Sequence, residues 1–220
     1  MSRVLVVGDL HLPAEHEDYL SFCKAIKKKY KTDAVVFIGD VVDHHAISFH
    51  HRHPEEDAAV AEYHRAMKGL KDWKKAFPEA LVCIGNHDER VQRVAASAGI
   101  PPMYLKEYKE IYDTPQWCWK FEHTVDEVAY VHGTGASSGT TPAFNSAKAR
   151  LQSTVSGHIH SAAAICWTEG PNNKRIFGFN VPCGVNKDHK MMQYGKNFLK
   201  KPINGVGVVI DGHPYMEIMS

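Results

Sequence analysis

Carboxylates, an amide and imidazoles recur in five short blocks: Asp9-x-His11, Asp40-x-x-Asp43, Asn86-His87-Asp88, His132-Gly133 and His158-x-His160. Together these oxygen and nitrogen donors suit Mn²⁺, Fe or Zn²⁺, whereas an all-oxygen set would suit Mg²⁺ or Ca²⁺. The chemistry they point to is that of transition metals. The spacing has a mechanical reason. Just beyond a strand end, both members of Asp9-x-His11 or of His158-x-His160 can turn toward one ion or a close pair. Glycine introduces four of the five blocks, which lets the backbone turn sharply there.

Something must hold these blocks together, and the apolar runs before them say what. Val4-Leu5-Val6-Val7 and Ala34-Val35-Val36-Phe37-Ile38 read as buried strands. Between them Tyr19, Phe22, Cys23, Ile26 and Tyr30 recur at helical spacing, giving a β-α-β unit. Ala59, Tyr63, Ala66, Met67, Leu70 and Trp73 predict a second helix, followed by a strand over residues 80–84. Three strands thus deliver polar groups at their C-terminal ends, where open α/β sheets bind ligands. Further strands are expected over residues 117–121, 127–131, 153–156, 162–168, 175–180 and 205–219, the last folding back at Asp211-Gly212. Helices are expected at 89–98, 102–112 and 142–152, and residues 89–119 read either as a short cap or as a surface connection.

In this order and at these intervals, GDLH (8–11), GDVVD (39–43), GNHDE (85–89), HG (132–133) and GHIH (157–160) resemble the five motifs of the calcineurin-like metallophosphoesterases. The resemblance implies an α/β fold: a two-sheet β-sandwich flanked by helices, as one domain over residues 1–220. It implies a dinuclear centre of divalent transition metals, Mn²⁺ first, with Fe, Zn²⁺ or Ni²⁺ as alternatives. Asp9, His11 and His160 would hold one ion, Asn86, His132 and His158 the other, and Asp40 would bridge them. A metal-bridging hydroxide would attack phosphorus, with His87 as the leaving-group acid oriented by Asp43. Asp88 and Glu89 read instead as acids at a helix start.

The remaining composition excludes more than it assigns. Twenty-six basic and 25 acidic residues leave a formal charge of +1, so no overall field points to nucleic acid or to an anionic membrane. Five scattered cysteines form no C-x-x-C pair, and the chain opens directly on a strand-like run without a signal peptide's pattern. A protein of the reducing cytoplasm is expected, with no membrane span and no obligate protein partner evident. His16, His64, His123, His189 and His213 lie in no motif and read as packing or surface residues.

In the phosphoprotein phosphatases that these motifs resemble, the second motif continues as Asp-Arg-Gly. Here His44 and His45 follow Asp43. The missing arginine shifts the reading toward a phosphodiesterase acting on a phosphoester substrate, with a nucleotide or nucleic acid among the candidates. A phosphomonoesterase is the alternative, and a non-catalytic interaction module ranks last. His44, His45 and Arg90 are the candidate substrate contacts. His50, His51 and His53 extend the histidine cluster, and Gly133-Thr134-Gly135 with Ser137-Ser138 forms a small-residue loop that could approach phosphate through backbone N–H groups.

Overall fold

The structure is a computed structural model describing residues 1–48, 58–135, 139–195, 197 and 199–220. His50, His51, His53, Ser137 and Ser138 lie outside the described residues. Strand β1 (Arg3–Val7) runs parallel to β2 (Ala34–Phe37), β3 (Ala80–Cys83) and β4 (Trp117–Lys120). Antiparallel β10 (Gly205–Ile210) and β11 (His213–Ile218) complete a six-stranded sheet in the order β11-β10-β1-β2-β3-β4. The second sheet joins β5 (Glu122–Val125), β6 (Val128–Val131), β7 (Thr154–Ser156), β8 (Ala164–Glu169) and β9 (Arg175–Asn180) in the order β5-β6-β7-β9-β8.

Alternation along β1 sorts its side chains between two cores. Val4 and Val6 pack with Val36 and Ile38 against Tyr130, Val155, Phe177 and Phe179 of the second sheet. Leu5 and Val7 face the other way, with Val35, Phe37 and Val82, onto helices α1 (Tyr19–Tyr30) and α2 (Ala59–Ala76). Burial on both faces explains the unbroken apolar runs of these parallel strands. The two mixed sheets and their flanking helices form the expected α/β sandwich.

The short helices α3 (Arg90–Ser97) and α4 (Tyr108–Ile111) follow the third motif, and α5 (Pro142–Arg150) lies against the second sheet. The helix expected over residues 102–112 reduces to a 3-10 turn at Pro102–Tyr104 and the four residues of α4. The strand expected over 117–121 ends one residue earlier, and β5, which was not anticipated, carries the chain into the other sheet. Among the described residues, no helix is long and apolar enough to cross a membrane.

Candidate metal centre

Parallel β1, β2 and β3 place the first three motifs at one edge of their sheet, and parallel β6 and β7 do the same for the last two. Backbone hydrogen bonds join the turns. Leu10 and His11 N–H donate to the Asp40 carbonyl at 3.1 and 2.9 Å, and Gly157 N–H donates to the His132 carbonyl at 3.0 Å. His158 N–H reaches across the sandwich to Asp9 Oδ2 at 2.9 Å. All seven expected ligand residues therefore meet at one end of the fold, with Asp9, His11, Asp40 and His132 buried.

The glycines before the motifs act differently from the expectation. At all four, space is a reason: a methyl on Gly8 would collide with the Pro182 carbonyl, on Gly39 with the His132 ring, on Gly85 with Asp40 Oδ1, and on Gly157 with Asp9 Oδ1. Only Gly39 has a positive φ, at +109°. The sharp turning is done by the polar residues themselves: His11, Asp40 and His158 hold left-handed backbone at φ +52°, +50° and +68°.

Three donor groups fall close enough to hold a metal ion: Asp9, His11 and His160; Asp40, His132 and His158; and an overlapping set of His11, Asp40 and His87. In the first, His11 Nε2 lies 3.1 Å from His160 Nε2, which lies 3.0 Å from Asp9 Oδ2. In the second, His132 Nε2 lies 3.1 Å from Asn86 Oδ1, 3.2 Å from His158 Nδ1 and 3.2 Å from Asp40 Oδ2. The same Asp40 oxygen is 3.5 Å from His11 Nε2, so it sits between the two groups.

Hydrogen bonding on the far side of each ring says what the near side can do. His132 Nδ1–H donates to the Ile38 carbonyl at 3.0 Å, which can only accept, so a neutral ring presents a bare lone pair at Nε2. That lone pair faces a carboxylate oxygen, an amide oxygen and a ring nitrogen. Electron pairs converge, and a cation among them removes the conflict. Without one, the ring must carry the charge. Burial would lower its pKa, but Asp40 outweighs burial, with help from Asp9 and Asp88, and holds His132 up at about 10. Asp9 Oδ1 is likewise buried with no hydrogen-bond donor among the described residues. The donor set fits divalent metals, and its mixed nitrogen and oxygen character fits transition metals.

Asp43 is fully buried and shared. Its Oδ2 accepts from His11 Nδ1 at 3.2 Å, fixing that ring with Nε2 toward the cluster, and its Oδ1 accepts from His87 Nδ1 at 2.9 Å. Burial opposes its ionisation, but the two histidines hold the carboxyl well below the usual carboxylate range. For His87, burial favours the neutral ring, yet Asp40 and Asp43 raise its pKa.

The three candidate substrate contacts are tied into the protein. Arg90 is buried: Nη1 donates to the Asp43 and His44 carbonyls at 2.9 and 3.0 Å, and Nη2 lies 3.2 Å from His87 Nε2. His44 Nε2 lies 2.8 Å from the Tyr112 hydroxyl, and burial pushes the His44 pKa down to about 4. His45 is buried, and its backbone N–H donates to Glu62 Oε1 at 2.6 Å.

Two positioning groups escaped the sequence reading. Glu62 receives the N–H groups of His45 and Ala46; its place on the same helical stripe as Ala66 and Leu70 was the signal. Asp88 makes no cap for α3. It is fully buried, and Oδ1 accepts from Val41 and Val42 N–H at 3.0 and 3.2 Å while Oδ2 accepts from Gly85 N–H at 3.0 Å. It thus clamps the turn after Asp40 to the turn before Asn86. Asp88→Ala is expected to strand three buried donors and cost at least about 3 kcal/mol, since each unmet group costs about 1–3 kcal/mol. Asp88→Asn, losing only the Gly85 bond, should cost less. Urea melts of the three proteins check the order, and equal stabilities would remove the clamp.

The sequence matches the family described as calcineurin-like phosphoesterase over residues 2–213. No curated protein matches it. Among solved structures, Vps29 from Chaetomium thermophilum aligns with a TM-score of 0.50 and 11% identity, covering 100% of this chain and 96% of that one, and shares the fold. Vps29 from Cryptosporidium parvum aligns at 0.47 and 13% identity, covering 99% and 96% of the two chains. YfcE, a phosphoesterase from E. coli, aligns at 0.46 and 14% identity, covering 94% and 88%. With its five motifs gathered at one end of the sandwich and its match running through nearly the whole sequence, the chain belongs to the calcineurin-like phosphoesterase family.

Proposed function

We propose that the protein is a dinuclear-metal-dependent phosphodiesterase. The observation that carries this reading is the convergence of nitrogen and oxygen donor atoms at His132 Nε2 and at the His11–His160 contact, with Asp40 Oδ2 between them. Asp9, His11 and His160 would hold one metal, Asn86, His132 and His158 the other, and Asp40 both. Mn²⁺ is the first choice, ahead of Fe, Zn²⁺ and Ni²⁺. The metals, when bound, supply charge neutralisation on the phosphoryl oxygens and a water nucleophile at neutral pH.

The remaining chemistry belongs to the chain's own residues. His87 is held by Asp43 through Nδ1, which leaves Nε2 to carry a proton for the departing oxygen. Arg90 Nη2, 3.2 Å from that nitrogen, can donate to it only after the proton has gone. It therefore favours the ring that has completed the transfer. A metal at His87 in place of this proton would sit beside a guanidinium, which disfavours the overlapping donor set as a third metal position.

Preference for diesters follows from how Arg90 is used. A dianionic monoester presents more charge for a guanidinium to grip, and Arg90 is buried, with Nη1 spent on the Asp43 and His44 carbonyls and Nη2 turned toward His87 Nε2. His44, with its pKa down at about 4, adds no positive charge. We expect a higher kcat/KM for bis-nitrophenyl than for mono-nitrophenyl phosphate at equal pH and Mn²⁺. A higher value for the monoester, lost in Arg90→Ala, would overturn this in favour of a phosphatase.

A further inference from the structure

The outer edge of β4 pairs with no further strand among the described residues and borders a cavity of about 840 Å³. Trp119 and Tyr108 stack in its wall, ring centroids 5.6 Å apart at 13°, and Lys106, Lys120 and Gln92 line it with Phe121. A smaller cavity of about 370 Å³ is lined by His132 and the Gly133-Thr134-Gly135 loop. Ile84 and Phe121 line both. Because β4 is parallel to β3, and Ile84 N–H donates to the Lys120 carbonyl at 2.9 Å, Phe121 emerges at the same rim as Asn86.

Three features of this groove ask for a ligand. Phe121 is 60% exposed at the seam of the two cavities, a large apolar ring offered to solvent next to the reacting centre. Gln92 Oε1 is buried and has no hydrogen-bond donor among the described residues. Lys109 is paired with Glu107 at 2.8 Å, whereas Lys106 and Lys120 form no ion pair among the described residues. An aromatic face, an unmet acceptor and spare positive charge match a nucleobase with its sugar and phosphate better than they match an apolar peptide.

We propose that this groove takes the nucleoside next to the scissile phosphate, so that the substrate is a nucleotide-bearing phosphodiester. The base stacks on Phe121, an exocyclic amino or ring N–H meets Gln92 Oε1 once that buried amide turns into the groove, and the next phosphate lies toward Lys106 and Lys120. This rests on the phosphodiesterase reading above, which supplies the position of the scissile phosphate.

The test compares thymidine 5′-(p-nitrophenyl) phosphate with methyl p-nitrophenyl phosphate, which share a leaving group and differ only in the nucleoside. In Phe121→Ala, the ratio of their kcat/KM values should fall roughly 5–150-fold, the range that base–aromatic stacking commands. An unchanged ratio would overturn the proposal. A second arm needs no hydrolysis: thymidine 5′-monophosphate and an eight-residue oligothymidylate are titrated into protein in EDTA, following tryptophan fluorescence. Saturable quenching weakened by Phe121→Ala supports the groove, and its absence with both ligands sinks it. Weakening of the oligomer alone by Lys106→Glu with Lys120→Glu identifies a polynucleotide, and no such loss identifies a mononucleotide ester. If wild type hydrolyses neither ester with Mn²⁺, the hydrolase reading fails while the titration still decides the groove.

Discussion

Asp40→Ala is expected to empty both metal positions at once. One carboxylate oxygen lies 3.5 Å from His11 Nε2 and 3.2 Å from His132 Nε2, so its removal takes a donor from each group. The other oxygen accepts His87 N–H at 2.8 Å and thereby also seats the third motif. Burial opposes the charge on Asp40, but His132 and His87 hold the carboxyl well below the usual carboxylate range, so it is ionised wherever the protein is folded at neutral pH. Activity should drop more than about 100-fold, the upper end of what losing a group that merely orients a ligand costs. His160→Ala is the control, since it should deplete one position and spare the other. Metal analysis on both variants decides the matter: two equivalents retained in Asp40→Ala with normal turnover would remove it as the bridge.

His87→Ala should slow esters with poor leaving groups by roughly 10²–10⁴-fold, the usual worth of a positioned general acid. Nitrophenyl esters, whose leaving group hardly needs a proton, should be slowed far less. The same variant frees Asp43 Oδ1 and Arg90 Nη2 but leaves His11 Nδ1 bonded to Asp43 Oδ2, so metal content should hold. Equal rate losses for alkyl and nitrophenyl esters at full metal occupancy would exclude the acid role.

Much of the sandwich was legible because its strands are buried on both faces and so read as continuous apolar runs. The β5–β6 hairpin was not, for a local reason. It turns on Asp126 and Glu127, both left-handed at φ +48° and +64°, in the same two-residue geometry that Asp211 and Gly212 use between β10 and β11. Asp-Gly announces such a turn and Asp-Glu does not. The polar sequence of β5, Glu-His-Thr-Val, gave no compensating signal. The motif residues could be named in order because each follows a strand end. What Asp88 and Arg90 touch could not, because both reach back from the third motif to backbone groups 46 or 47 positions away, and no local pattern encodes that. Glycine's part was misassigned for a related reason: sequence shows where a small residue stands, but not whose atoms crowd it.

The left-handed backbone at His11, Asp40 and His158 sets folding against function. A residue with a side chain held there costs about 1–3 kcal/mol, which the rest of the fold must over-determine. Glycine at any of the three would relax the chain while deleting a donor atom. At His11 and His158 that trade is local, whereas at Asp40 the same change also strands the His87 N–H, so relief of the backbone there is set against a lost buried hydrogen bond.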